Sequence, residues 1–526
     1  MLSRALLWLA LASFLASMNM TAHAQSKGDQ ALLDALVRKG VLSEQEAEQI
    51  TAETAQEPAN TAAAPIHLGD WVQELRLGGD LRLRNQWDER TPMVLTNSLL
   101  GPVDRVIPRN RWRFRLRLSL DFKLQNNFFG GVMLMTADNR SPDSKNATYT
   151  GGYDLYSIGI ARAFMGWNPL PGLTLIAGKQ ANPFYTTDLL YDPDIDPQGL
   201  VERIDFDKFF NMTFGEPVVA AGKEVKAPPP CNSLELALIA GQFVFNNNNA
   251  NSGSTQLKWD AYAFQQQLVA KLHLGDKLTV TFAPGFLGYN DASSGGLPGA
   301  HGSIIPPAVV QGQTFDQTTT GTPVTFGDTL ANAGAFPVTQ RDLNILLAPG
   351  DITYKIFGKP LTLYWDFAYN FSGDDRFNRD YGPLFSHYFY IGRSSTPSFS
   401  GRVQPSFSDN VAWLVGLRFG ENKKAGDLLI SADYRQVGIS SIDPNINSSN
   451  FGLSNLNQEG WEFNAAYNIT DFLTASLTFY YSDALTKNLY GGFATGNVPG
   501  LSSSQQWPIA RDRHDKLLQV NLLMKF

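Results

Sequence analysis

The sequence has little cysteine and little charge for its length. One cysteine, Cys231, occurs in 526 residues, and charged residues make up 17% of the chain, below the roughly 25% of an average soluble protein. A lone cysteine cannot form a disulfide framework, and a hydrophobic content of 43% excludes a disordered chain. Beyond the N-terminus no apolar run approaches the roughly 20 residues of a membrane-spanning helix. Disulfide scaffolds, disordered proteins and helical membrane proteins are therefore excluded.

Motifs of several functional classes are also missing. With 42 basic and 49 acidic residues the net charge is −7, which argues against nucleic acid as a partner because phosphates attract clustered positive charge. The six histidines show no paired spacing typical of a metal site, and a Gly-x-Ser-x-Gly nucleophile motif is absent. We therefore predict that the protein is not an enzyme and uses neither a cofactor nor a metal. A membrane-embedded hydrolase stays open as an alternative.

The first 24 residues have the pattern of a secretory signal peptide. Arg4 supplies a positive charge, residues 5–16 form an apolar stretch, and Ala22-His23-Ala24 is a typical cleavage pattern. The predicted mature chain thus begins at Gln25, and the protein is expected to be exported.

A short helical segment is predicted next, over residues 25–57. Leucines at helical spacing, Gly40 as a helix stop and the capping pair Ser43 and Glu46 indicate two helices in a hairpin. Self-association, contact with the cell wall and a simple spacer are three interpretations of this hairpin. Residues 58–70 are rich in alanine and proline and are predicted to be a linker.

From residue 71 to residue 526 the hydrophobic period is two. For example, the odd positions of residues 473–481 are apolar or aromatic, while Thr474, Ser476 and Thr478 lie between them. Successive side chains of a strand point to opposite faces, so these segments are amphipathic strands. Many have ten residues or more, enough to cross a bilayer at a tilt, whereas strands of a soluble sandwich have roughly 5–6.

The spacing of the strands predicts a barrel. We count about sixteen strands, separated alternately by short turns and long loops, which is typical of bacterial outer-membrane proteins. The long loops are expected at residues 91–109, 139–153, 181–207, 292–339, 375–407, 441–455 and 486–511, and strands are expected near residues 208 and 234. The predicted fold is an all-β, transmembrane, antiparallel β-barrel of about 16 strands over residues 71–526, preceded by the helical hairpin. The predicted location is the outer membrane of a Gram-negative bacterium.

The last strand ends the chain on an aromatic residue. Leu518, Val520, Leu522 and Met524 alternate with polar residues, and Phe526 is the final residue. A terminal strand of this kind is similar to the signal that barrel-assembly machinery recognises, so Phe526 is predicted to be an assembly signal.

Arginines are concentrated on two adjacent strands. Charges facing lipid would cost about 2–4 kcal/mol each at the membrane midplane, so these arginines are expected to face the interior. A barrel of sixteen strands encloses water, and the side chains that line it decide what passes. A role in anion selectivity and a merely solvated polar face are the two interpretations. The predicted pore-lining residues are Arg82, Arg84, Arg111, Arg113, Arg115 and Arg117.

The loop over residues 178–199 is unusually apolar for an external loop and also carries four carboxylates. Its Phe184, Leu189 and Leu190 suggest that it packs inside the barrel, where the carboxylates would face the arginines across water and narrow the pore. Alternatively, the every-second-residue spacing of its last three aspartates could bind Ca²⁺. The predicted constriction residues are Asp188, Asp192, Asp194 and Asp196.

The chain resembles the bacterial putative porin family, which is similar in style to phosphate-selective porins. Three stretches carry the resemblance: Leu-Val-Arg-Lys-Gly-Val-Leu-Ser-Glu-Gln-Glu-Ala at residues 36–47, the loop at 178–199, and residues 426–435 followed by 458–463. The resemblance implies passive diffusion of small hydrophilic or anionic solutes across the outer membrane by a homotrimer in contact with lipid. An outer-membrane adhesin or receptor is the alternative.

Overall fold

The computed structural model describes residues 69–90, 95–97, 101–103, 107–137, 145–149, 155–210, 232–246, 261–290, 314–316, 323–325, 342–378, 404–443, 446–452, 456–487 and 514–526. The predicted signal peptide, helical hairpin and most of the linker lie outside these residues. The chain divides into two units, Met1–Val72 and Gln73–Phe526, and the barrel interior belongs to the second.

Sixteen antiparallel strands form one closed sheet, as the sequence predicted. In chain order they are β1 (Val72–Arg90), β2 (Ile107–Leu124), β3 (Phe128–Ala137), β4 (Ser157–Leu170), β5 (Leu173–Lys179), β6 (Gln198–Asp205), β7 (Asn232–Asn246), β8 (Ala261–Leu274), β9 (Leu278–Phe282 and Gly285–Tyr289), β10 (Asn344–Leu347 and Gly350–Ile356), β11 (Lys359–Asn370), β12 (Val411–Gly420), β13 (Leu428–Val437), β14 (Gln458–Asn468), β15 (Leu473–Ala484) and β16 (His514–Lys525).

Smaller elements complete the described part of the chain. Residues 147–148 pair with β2, and two short hairpins join residues 95–97 to 101–103 and 314–316 to 323–325. The helices α1 (Phe206–Phe209) and α2 (Gly373–Arg376) have one turn each. Among the described residues no helix has both the length and the apolar character needed to cross a membrane.

The barrel closes where the last strand meets the first. The register of β16 with β1 runs from Lys525 opposite Asp80 to Asp515 opposite Arg90. The backbones of Phe526 and Gly79 exchange two hydrogen bonds of 2.8 and 3.1 Å, so the final residue completes the ladder. Closure removes the two unpaired edges that an open sheet would expose.

The exterior of the barrel is apolar because the alternation along the strands is regular. On β16, Val520, Leu522 and Met524 are exposed, whereas Gln519 and Asn521 between them are buried. The large exposed hydrophobic residues on the other strands repeat this arrangement, which suits a surface in contact with lipid.

One expected strand is displaced from its predicted position. The strand expected near residue 208 is β6, which begins at Gln198 and pairs with both neighbours, while α1 occupies residues 206–209. The predicted loop 181–207 was therefore too long. Gly199 and the charged residues Glu202, Arg203 and Asp205 hide the period-two hydrophobic pattern of this strand. The connection between α1 and β7, residues 211–231, lies outside the described residues.

Two prolines interrupt adjacent strands at the same level. Pro284 divides β9 and Pro349 divides β10, because proline has no N–H to donate to a ladder. The amide of Ala283 still donates to the carbonyl of Pro349 over 2.9 Å. Gln267 of β8 bridges the gap by donating to the carbonyl of Ala283 over 3.0 Å.

Candidate functional site: the interior of the barrel

Six arginines of β1 and β2 face the barrel interior and are here called the basic wall. Their neighbours Leu83, Trp112 and Leu118 are exposed on the outer face, so the strand geometry places the arginines inward, as expected from the cost of charge in lipid. The members of the basic wall are Arg82, Arg84, Arg111, Arg113, Arg115 and Arg117.

Strand carboxylates pair with only part of the basic wall. Asp80 accepts hydrogen bonds from Arg115 over 3.0 Å and from Arg117 over 2.6 Å. Asp88 lies 3.6 Å from Arg111 and 3.0 Å from Arg109, which precedes the wall on β2. Positive charge therefore remains in excess on this side of the interior.

Arg82, Arg84 and Arg113 have amide partners. Arg82 donates to the Asn146 side chain over 2.6 Å, and Arg113 donates to the Asn146 carbonyl over 3.2 Å. Arg84 donates to Asn521 of β16 over 2.6 Å. Within the residues that the structure describes, Arg82 and Arg84 form no ion pair, so these two guanidinium charges are not neutralised by a contact.

The segment of residues 180–197, here called the inner loop, crosses the barrel interior. Tyr185 exchanges two backbone hydrogen bonds with the Gln267 side chain, at 2.8 and 2.7 Å, and its hydroxyl donates to Asp351 of β10. Further along, Thr187 donates through its amide and hydroxyl to Asp366 of β11, at 3.0 and 2.9 Å. This end of the inner loop is thus attached to β8, β10 and β11.

The other end of the inner loop contacts the basic side. Asp194 lies 3.4 Å from Arg115 of β2, and Asp196 accepts from Arg162 of β4 over 2.8 Å. Asp196 also pairs with Lys145, and both side chains are 2% exposed. In the order of strands β2 and β10 lie half a circumference apart, so the inner loop spans the barrel from one side to the other.

The exposure of the arginines shows where the inner loop crosses. The side chain of Arg115 is 6% exposed, whereas that of Arg109 towards one end of β2 is 31% exposed and that of Arg117 towards the other is 25% exposed. Solvent therefore reaches Arg109 and Arg117 on the two sides of the inner loop, and it has little access to Arg115, where the loop crosses.

The middle of the inner loop is apolar and buried. Phe184, Leu189, Leu190 and Tyr191 lie in one hydrophobic cluster with inward side chains of β6 to β13. Burying each of the larger side chains contributes about 1.5–3 kcal/mol. The apolar residues of the loop thus hold it within the barrel, which the sequence analysis anticipated from their presence.

The electrostatic arrangement differs from the predicted one. Asp194 contacts Arg115 directly, and Asp188 lies 2.9 Å from Arg435 of β13. Asp188, Asp194 and Asp196 are therefore ion-paired and do not face the arginines across water. A long sequence separation hid these partners, since the pairs form only when the barrel closes.

The Ca²⁺ alternative is not supported by the arrangement of the three aspartates. Asp192 accepts from the amide of Ser449 over 2.7 Å, while Asp194 and Asp196 pair with arginines and Lys145. In the described part of the chain, no group of three or more Asp, Glu, His or Cys side chains is arranged to hold a metal ion.

The two central carboxyl groups of the inner loop differ in acidity. Burial raises the pKa of the Asp192 carboxyl to about 7, and the neighbouring charge of Asp194 adds to this rise. Burial also opposes ionisation of Asp194, but the guanidinium groups of Arg82 and Arg115 outweigh it and lower the pKa of that carboxyl. Asp194 is therefore an anion at neutral pH because the basic wall holds it in that state.

A second charged group surrounds Arg435 and is here called the Arg435 cluster. The guanidinium contacts Asp188 over 2.9 Å, Asp433 over 2.7 Å and Glu462 over 2.5 Å, and it is 1% exposed. Tyr364 of β11 donates to Asp433 over 3.0 Å. The sequence analysis did not identify this cluster, because its members lie on different strands and on the inner loop.

Sequence reasoning also missed a second inward segment, residues 438–443 and 446–452. The loop over residues 441–455 was predicted to be external, but Ile439, Ile442 and Ile446 are buried in the same cluster as the inner loop. The signal was present in the sequence, since Ile442 and Ile446 in a predicted loop that follows Ile439 are as unusual as the apolar residues of the inner loop.

A cavity of about 710 Å³ lies beside the inner loop, near the short turn that joins β8 to β9. Tyr185 and Asp351 border it together with polar side chains of β6 to β10, among them Lys271 and Glu235. Its mixed charges and its position beside the inner loop suit a water-filled vestibule.

The comparisons with known proteins agree with this fold. Residues 93–296 match the family described as "Putative porin", which confirms the predicted resemblance over that part of the chain. No curated protein matches the sequence. The protein thus combines a closed barrel of sixteen strands with a match to a putative porin family over part of the chain.

Several solved porin structures can be aligned with the chain. OmpF of Salmonella typhi in complex with daunomycin is 11% identical, with a TM-score of 0.37 and coverage of 86% of this chain and 97% of that chain. OprB of Pseudomonas putida at high pH is 10% identical, with a TM-score of 0.40 and coverage of 86% and 94%. A triple mutant of the Rhodopseudomonas blastica porin is 9% identical, with a TM-score of 0.34 and coverage of 86% and 100%.

Proposed function

We propose that this protein lets small hydrophilic solutes diffuse passively across the outer membrane of a Gram-negative bacterium, with a preference for anions. The observation that carries the proposal is the basic wall inside a closed sixteen-stranded barrel. In the described part of the chain, three of the six arginines contact a strand carboxylate, Asp80 or Asp88, so this side of the water-filled interior is positively charged. A positive lining raises the local concentration of anions and lowers that of cations.

The inner loop is proposed as the constriction. It crosses from β10 to β2 and excludes solvent at Arg115, while the arginines on either side of it stay accessible. Its four aspartates Asp188, Asp192, Asp194 and Asp196 hold it in place through ion pairs and hydrogen bonds. The passage is therefore expected to be narrowest at this level.

Electrical recording in planar lipid bilayers tests the channel function. Ohmic single-channel steps are expected, with a reversal potential in a KCl gradient of the sign that chloride permeation gives. A folded protein that inserts and stays silent would refute the proposal and favour the adhesin or receptor alternative.

Replacing the inner loop tests the constriction. The amide of Gln180 donates to the carbonyl of Pro197 over 3.0 Å, so the two ends of the loop are adjacent and a two-residue Gly-Ser turn can join them. Without residues 181–196 we expect conductance to rise, because the interior is wider. An equal or lower conductance in a variant that still folds would argue against a constricting role.

Assembly forms the last part of the proposal. We infer a homotrimer from the family resemblance, surrounded by outer-membrane lipid, and an assembly signal at Phe526, whose side chain is 60% exposed. Changing Phe526 to Ser should reduce the amount of folded barrel in outer membranes, and native mass spectrometry should find three chains. A full yield of the variant would contradict the assembly signal at Phe526, and a monomeric mass would contradict the homotrimer.

A further inference from the structure

The second inward segment, residues 438–443 and 446–452, packs on the inner loop within the barrel. Ile439 and Ile442 are fully buried, and together with Ile446 they share one hydrophobic cluster with Leu189, Leu190 and Tyr191 of the inner loop. The two segments therefore bury apolar surface against each other and not only against the strands.

Backbone hydrogen bonds join the two segments along their length. The amide of Asp192 donates to the carbonyl of Ile446 over 2.6 Å, and the amide of Ser448 donates to the carbonyl of Asp188 over 3.0 Å. The Asp192 carboxylate accepts from the amides of Ser449, over 2.7 Å, and Asp194, over 2.8 Å. Asp192 thus contacts the second segment through both its backbone and its side chain.

The second inward segment is also attached to distant strands. Tyr289 of β9 donates to Asp443 over 2.7 Å, and Asn370 of β11 donates to the carbonyl of Ser440 over 2.7 Å. At its other end, Gln519 of β16 donates to Asn450 over 2.8 Å. Like the inner loop, this segment extends across the interior.

We propose that the second inward segment is a second constricting element, and that Asp192 is the positioning residue that fixes it to the inner loop. This inference rests on the proposed channel function. The Asp192 side chain is 2% exposed and so does not contact a passing solute. It acts by holding Ser449 and Ile446 against the inner loop, and the size limit of the pore then depends on both segments together.

Two substitutions at one position separate positioning from charge. D192A and D192N each remove the ionisable carboxyl group, but only D192N keeps a side-chain oxygen that can accept from the Ser449 amide. We expect single-channel conductance and the size limit in liposome swelling with a series of sugars to rise in D192A, by roughly twofold in conductance. D192N loses the acceptor for the Asp194 amide but keeps one for Ser449, and its conductance should lie between that of the wild type and that of D192A. D276A, in the exposed turn between β8 and β9, is the charge-matched control.

Hydrogen exchange of the full-length protein in lipid vesicles tests the contact without any channel activity. Peptides covering residues 446–452 should exchange slowly in the wild type and in D276A, and at least about tenfold faster in D192A. Rapid exchange in the wild type would overturn the proposal. Equal conductance of D192A and D192N would overturn it as well, because a charge effect would then suffice. A silent wild-type channel would instead refute the proposed function, while the exchange result would still report the docking.

Discussion

The basic wall and the Arg435 cluster use arginine in opposite ways. In the described part of the chain, three of the six arginines of the basic wall contact Asp80, Asp88 or Asp194, whereas in the Arg435 cluster one arginine contacts three carboxylates. The basic wall therefore presents excess positive charge to the interior. The Arg435 cluster is closed on itself and fastens the inner loop to β13. The contrast separates charges that act on solutes from charges that hold the fold.

The largest effect is expected from removing the centre of the Arg435 cluster. R435M leaves Asp188, Asp433 and Glu462 without their common partner in a buried site, and breaking such a buried pair costs about 3–5 kcal/mol. Urea unfolding in lipid vesicles, followed by tryptophan fluorescence, should show this loss. R418M is the control, because Arg418 on the adjacent strand is exposed and lies over the Tyr364 ring. Similar losses in both variants would remove the distinction between the two kinds of arginine.

The next effect concerns Arg82 and Arg84, which form no ion pair with the residues that the structure describes. R82S combined with R84S removes two charges that no contact neutralises, so the ratio of anion to cation permeability should fall by roughly twofold. Reversal potentials in a KCl gradient measure this ratio. The single variants R113S and R115S should shift it in the same direction. An unchanged ratio in all of them would show that the basic wall does not select ions.

Removing a carboxylate of the inner loop is expected to have a smaller effect on ion selectivity, and in the opposite direction. D194N removes the carboxylate that neutralises part of the charge on Arg115, so the preference for anions should increase modestly. The charge-matched control is D471N in the turn between β14 and β15, where Asp471 accepts from the amide of Ala425. A shift of the selectivity towards cations in D194N would contradict the proposal that Asp194 reduces the positive potential of the basic wall.

The smallest effect is expected from salt, which should act differently on the basic wall and on the Arg435 cluster. Raising the ionic strength from 0.1 to 1 M shortens the screening length from about 10 Å to about 3 Å. The selectivity of the basic wall, whose Arg111 and Arg117 are partly exposed to water, should therefore weaken. The stability difference between the wild type and R435M should hardly change, because the Arg435 cluster is buried. Selectivity that is independent of salt would argue for a tightly bound solute site and against a diffuse field.

The architecture of the barrel follows from local information in the sequence. A period of two along the strands places Leu518 on the outer face of the barrel and Arg115 on the inner face. The short turns at Asn126, Gly275 and Gly358, where φ is positive, alternate with long loops as predicted. The inward position of the inner loop was also predictable, because the buried Leu189 and Leu190 are out of place in an external loop.

The pairing of charges was not predictable from the sequence. Asp188 and Arg435 are 247 residues apart, and only closure of the barrel decides that the inner loop meets β13 there. The strand β6 was misplaced because Gly199, Glu202 and Arg203 interrupt its hydrophobic alternation. The second inward segment was overlooked although Ile439, Ile442 and Ile446 carried the same signal as the inner loop.

The most direct test of the account is the reversal potential of single wild-type channels across a KCl gradient in a planar bilayer. We expect ohmic steps and a potential displaced towards the equilibrium potential of chloride. A displacement towards the potassium potential would contradict the role of the basic wall, and the absence of any conductance from a folded, inserted barrel would contradict the channel itself.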